Sequence, residues 1–110
     1  MPGTPFKDGP AAFAAAAADI YVPAANTYAL VRHIHVANAA GSAGTFNLYV
    51  GATGGSANGT ELCELLAIGA SDVVDLYFPA GLRLAATDFL TGLASATTIV
   101  VTVTGEIYAA

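Results

Sequence analysis

The run "TTIVVTVTGEIYA", Thr97–Ala109, decides the fold class. Ile99, Val101, Val103 and Ile107 fall on one side, and Val100, Thr102, Thr104, Glu106 and Tyr108 on the other, a period of two in a segment dense in β-branched residues. A strand with one face buried has this signature. "TFNLYV", Thr45–Val50, repeats it, with Phe46, Leu48 and Val50 against Thr45, Asn47 and Tyr49. Further short β-type runs are set off by turn clusters: "DIYV" (Asp19–Val22) closed by Pro23, and Tyr28–Ala37 ending in "NAAGSAG". "DVVDLYF" (Asp72–Phe78) is expected to stop at Pro79, and "GLRLAATDFLTGL" (Gly81–Leu93) to hold two strands around a turn near Thr87. "ELCELLAI" (Glu61–Ile68) reads as a strand or a single turn, since Leu62, Leu65 and Leu66 also fit a short helical stripe. "GATGGSANGT", Gly51–Thr60, is expected as an exposed loop, and without a lysine it is no phosphate loop. The pattern predicts an all-β chain, a single antiparallel β-sandwich of about eight strands, jelly-roll-like or immunoglobulin-like.

Residues 1–18 read differently. "MPGTPFKDGPAAF" holds three prolines and two glycines and cannot form a regular element by itself, so it is expected as an extended N-terminal arm ahead of a sandwich domain at 19–110. Phe6 and Phe13 would be its apolar anchors on a partner, with Lys7 and Asp8 as polar contacts.

A chain of 110 residues makes one domain. Only 10% of it is charged, against about a quarter in ordinary domains, so its surface is nearly neutral. A small domain so poor in charge leaves apolar surface outside its own core, which points to a homo-oligomer or a subunit of a larger assembly. Eight acidic residues against three basic ones give a net charge of -5, which opposes nucleic-acid and anionic-membrane binding. The single cysteine, Cys63, excludes an intramolecular disulfide and fits a small packed hydrophobe. The N-terminus lacks a signal-peptide pattern, and no apolar run is long enough to span a membrane.

The candidate chemistry centres on "LVRHIHVANAAG", Leu30–Gly41, which holds both histidines. His33 and His35 lie two apart on a strand, so both rings project from one face and can reach one metal ion. The H-x-H spacing, with Pro79-x-Gly81 further on, resembles cupins in part, but the cupin glutamate and third histidine are absent. A site here would have to recruit Asp or Glu from a distant strand, or ligands across a symmetry axis, so neither a metal nor another cofactor is expected. Ile34 and Val36 then point to the core, and the histidines to solvent or a sister subunit. Arg32 interrupts an apolar face of Leu30, Ile34 and Val36, and with His33, His35, Tyr49 and Tyr77 it is a candidate oligomer contact. The carboxylates Glu61, Glu64, Asp72, Asp75 and Asp88 sit near turns or on outward positions, with no tryptophan to hold a sugar. No nucleophile elbow is present, and the chain is not expected to be an enzyme.

"IYVPAANTYALVRHIHVANAAGSAGTFNLYV", followed by "FPAGLRL" and "TIVVTVTGEIY", resembles a group of small phage structural proteins, over roughly Ile20 to Tyr108. The shared features are a strand ending in Val-Pro-Ala, an arginine-bearing strand ending in V-A-N, a Pro-Ala-Gly turn and a β-branched closing strand. The resemblance implies a virion component, often a trimer, that decorates or cements a lattice of major capsid protein. It brings no catalytic residues. The same resemblance also allows a tail or fibre module that binds carbohydrate or a receptor through Tyr49, Tyr77 and Tyr108 or the glycine-rich loop.

Overall fold

The computed structural model describes residues 3–16, 18–51 and 61–109. Among these are eight strands and no helix: β1 (Thr4–Ala12), β2 (Ala18–Tyr21), β3 (Thr27–Asn38), β4 (Gly44–Gly51), β5 (Glu61–Ile68), β6 (Val73–Ala85), β7 (Phe89–Ala94) and β8 (Ile99–Ala109). They build two four-stranded sheets, ordered β1-β8-β3-β6 and β2-β7-β4-β5. β1 pairs with β8, β2 with β7, β3 with β6 and β4 with β5, all antiparallel. The first half of the chain thus runs back along the second half, and this long hairpin is rolled into two layers. That is jelly-roll connectivity, and it decides between the two sandwich types that strand spacing alone left open. The run at 61–68 is a strand, and residues 52–60 of the glycine-rich stretch lie outside the described residues.

The core sits between the sheets. Ile34, Val36, Ile99 and Val103 from one sheet meet Phe46, Leu48 and Leu90 from the other, each with no exposed surface. Burying such a side chain is worth about 1.5–3 kcal/mol, so this layer dominates the stability. Ile99, Val101 and Val103 are buried as the alternation of "TTIVVTVTGEIYA" predicts.

β3 departs from simple alternation. Ala29 and Val31 are buried, and so are Ile34 and Val36, so the inward face skips a step at Arg32. The register of β3 shifts between Val31 and His33 against both neighbouring strands. Arg32 is therefore the extra residue of a β-bulge. Strict alternation had placed it on the face of Ile34 and Val36, where its charge would be buried; the bulge returns it to the surface. Val31 faces Gly105 on β8, where a Cβ would overlap the Leu30 carbonyl oxygen. Only glycine lets the two backbones approach this closely at the bulge.

Pro79 does not end a strand, contrary to expectation. β6 runs through it as one element, with Tyr77 opposite His33 and Leu82 opposite Val31. The residues between, Phe78 to Gly81, bow out of register, and Gly81 takes a φ of +83° that favours glycine. β6 is an edge strand, where a missing backbone N–H costs nothing on the solvent side. The turn near Thr87 is present, closed by Asp88 N–H donating to Ala85 O at 2.9 Å.

The N-terminal segment is also corrected. Residues 4–12 are an edge strand of the first sheet, paired along β8 from Thr4 opposite Ile107 to Ala12 opposite Val100. Phe6 stacks on Tyr21 at 4.7 Å between ring centres. Phe13 is only 3% exposed, and its N–H donates to Ile99 O at 3.0 Å. Neither phenylalanine is free to anchor the chain on a partner: β1 takes the side of β8 that would otherwise be unpaired, and the space between the sheets accepts the Phe13 ring.

Candidate functional site

The outer face of the sheet β1-β8-β3-β6 gathers most of the chain's chemistry. Alternation after the bulge turns His33 and His35 outward from β3. On β6, Tyr77 lies opposite His33 and Asp75 opposite His35; on β8, Thr104 and Thr102 take the corresponding places. Directly opposed residues on one face have Cβ atoms about 4.5–5.5 Å apart, so the register alone brings Asp75 to the histidines.

Asp75 Oδ1 accepts from both rings, from His33 Nε2 at 2.7 Å and from His35 Nδ1 at 2.6 Å. An ionised carboxylate only accepts, so the proton sits on Nε2 of His33 and on Nδ1 of His35. The hydrogen bond from His35, then that from His33, holds the Asp75 carboxyl below the usual carboxylate range, against a smaller opposing desolvation. The His33 ring is stacked on Tyr77, 4.6 Å between centres and 9° from parallel. Tyr77 is 68% exposed, so its other face is open to solvent.

Arg32 closes the gap that the two irregularities open. Its Nε donates to Glu106 Oε1 and its Nη1 to the Pro79 carbonyl, both at 2.9 Å. At the far end of β3, Tyr28 stacks on Tyr108 at 5.1 Å, with the Arg83 guanidinium 4.0 Å above the Tyr28 ring.

Of the residues picked out as contacts, Arg32, His33, His35 and Tyr77 share this face. Tyr49 does not. It lies on β4 in the other sheet, 5% exposed, and its hydroxyl accepts from Asn47 Nδ2 at 2.7 Å. From the N-terminal group Lys7 is exposed on β1, while Asp8 is half-buried on the side facing Tyr21, whose hydroxyl pKa is raised by desolvation and then by Asp8.

Two of the other acids have local duties. Asp72 Oδ1 accepts Val73 N–H at 2.8 Å, and Asp88 Oδ2 accepts Ala85 N–H at 2.9 Å, both in turns. Cys63 lies on β5 in the opposite sheet, where burial pushes its thiol pKa up and away from nucleophilic use. What the sequence reading missed is the partnership of Asp75 with the histidines, and Asn38. Asn38 is 3% exposed and ties two loops together, its Nδ2 donating to Ser42 O at 2.9 Å and Gly69 O at 3.2 Å. Its Oδ1 accepts Ala40 N–H at 3.0 Å.

Comparison with known proteins brings no relative to this site: no protein-family model matches the chain, and no curated protein matches it.

Proposed function

We propose that the chain is a non-enzymatic structural protein of a phage virion, a capsid decoration protein that self-associates as a homotrimer and bridges subunits of the major capsid protein lattice. The observation that carries this reading is the outer face of β1-β8-β3-β6. It is a four-stranded surface with Tyr77 and Val73 left 68% and 49% exposed beside the Arg32 and His33–His35 clusters. Exposed aromatics next to arginine on a rigid sheet match the composition of contact surfaces. Jelly rolls also recur in viral capsid domains, which is a likeness of fold and not of function. With β1 built into the sheet, the bridging surface is this face and not a free arm. Stabilisation of the shell would follow from mass action, since a protein that binds the closed lattice and not its open form favours the closed one.

The test is the mass of the purified chain by sedimentation velocity, together with electron microscopy of particles labelled by an antibody to it. The expected results are a trimer that Tyr77→Asp dissociates, and label distributed over the head. A monomer at tens of micromolar, or label confined to the tail, would overturn the reading. One observation favours a second reading, a fibre or tail module that binds carbohydrate. The Tyr77 ring, flat, exposed and backed by His33, offers a platform for a sugar face. Glycan-array binding abolished by Tyr77→Ala in a chain that remains monomeric would select it.

A further inference from the structure

We propose that His33, His35 and Asp75 form a three-ligand site for a divalent transition-metal ion of the zinc class, open to solvent at its fourth position. One donor atom from each of His33, His35 and Asp75 lies within 4.8 Å of the others, and His33 Nε2 and His35 Nδ1 both touch Asp75 Oδ1. They arrive from two paired strands, with His35 directly opposite Asp75, so the backbone and not a chance rotamer sets their approach. β3 is hydrogen-bonded on both sides, by β6 and β8, which makes it a rigid carrier.

The present geometry is tighter than a coordination sphere by about 0.7 Å at each nitrogen–oxygen contact. A tetrahedral ion with ligands at about 2.0–2.1 Å spreads its donors about 3.3–3.4 Å apart. Asp75 Oδ1 now stands 2.7 and 2.6 Å from the two nitrogens. For an ion to enter between them, each ring must carry its proton on its other nitrogen, Nδ1 in His33 and Nε2 in His35, so that the facing lone pair becomes a ligand of a neutral imidazole, and the carboxylate withdraws from each ring by about 0.7 Å. The acid stays in contact and changes from a hydrogen-bond acceptor to a ligand.

The donor set selects the ion. Two imidazoles and one carboxylate suit zinc, copper, nickel or iron, whereas calcium and magnesium require oxygen cages. Tyr77 stacks on the His33 ring and limits its rotation. The neighbouring cation does not compete, because the Arg32 guanidinium is held by Glu106 and the Pro79 carbonyl. The site is independent of the virion reading, since it rests only on the strand register.

The test uses the full chain, stripped of metal, titrated at neutral pH with Co²⁺ and with Zn²⁺. The expected result is one ion per chain, with the intense visible absorption of tetrahedral cobalt, displaced by zinc. His35→Gln and Asp75→Asn should each weaken binding by at least about 100-fold, since losing a ligand outweighs losing an outer-shell partner. Glu64→Gln, on β5 in the opposite sheet, should bind as the native chain does. Should a ligand variant fail to fold, ¹⁵N spectra of the native chain decide: zinc must move the His33 and His35 ring nitrogens. No saturable binding at millimolar ion, binding unchanged by Asp75→Asn, or unmoved ring nitrogens would overturn the proposal.

Discussion

Phe13→Ala tests whether the N-terminal segment belongs to the sandwich. The ring is 3% exposed and packs against Phe46 at 5.8 Å between centres. An aromatic side chain buries about 150–200 Å², which at about 25 cal/mol per Å² is worth about 4 kcal/mol. Truncation also leaves a cavity between two sheets that cannot close on it, and such changes cost about 3–5 kcal/mol. For a domain of this size that is a melting temperature lower by about 15–25 °C, and a large part of the total stability of a small protein. The comparison is Lys7→Ala on β1, whose side chain is exposed and whose loss should stay within about 0.5 kcal/mol. Urea and thermal melts followed by far-UV circular dichroism measure both. A free arm makes the opposite prediction: Phe13→Ala would melt with the native chain. A loss under about 1 kcal/mol would therefore refute the placement of Phe13 in the core, and with it the assignment of residues 4–12 to the sheet.

Three further outcomes follow from particular contacts. Gly105→Ala puts a methyl on the Leu30 carbonyl oxygen between two paired strands, and overpacking against backbone should destabilise by about 3 kcal/mol or more in the same melts. Asn38→Ala strips partners from Ser42 O, Gly69 O and Ala40 N–H; a loss of about 1–3 kcal/mol is expected, with amide exchange quickening first at 39–43 and 69–72. Burial raises the Cys63 thiol pKa, so at pH 8 its thiolate fraction lies below that of a free cysteine. Its reaction with a maleimide should be slow in the folded chain, quicken with rising pH, and reach the free-thiol rate only on unfolding; full reactivity in the native state would contradict the placement on β5.

Features set by neighbours in sequence were legible before the structure. Period two in "TTIVVTVTGEIYA" put Ile99, Val101 and Val103 in the core, and it did so because side chains on a strand alternate whatever the partner strand is. The turn at Thr87 was readable because its closure is local, Asp88 reaching back to Ala85. Pairings with distant strands were not readable. "TPFKDGPAA" has no alternation and two of the chain's prolines, yet it is a strand, because an edge position beside β8 asks for backbone pairing on one side only. Pro79 misled in the same way: the rule that proline ends a strand holds for central strands, and β6 is at an edge.

Arg32 shows how a misfit in the pattern carries information. A charge among Leu30, Ile34 and Val36 is improbable in a strand that keeps its alternation, because an unpaired buried guanidinium costs several kcal/mol. Either the charge is paired in the core or the strand slips by one residue there, and a slip is the cheaper solution when the partner strand carries glycine at the same level. Gly105 is that glycine, opposite Val31. The slip also has a consequence for the histidines. With Arg32 as the extra residue, Val31 and Ile34 both face inward, and Arg32, His33 and His35 all face outward. The same register sets His35 across from Asp75, 40 residues further along the chain. A two-histidine strand with no acidic partner in its own sequence thus gains one from β6. Local reading found two histidines on one face and no third partner, because the third is a property of register, and register is fixed by how the bulge at Arg32 and the excursion at Pro79 compensate each other across the β3–β6 pair.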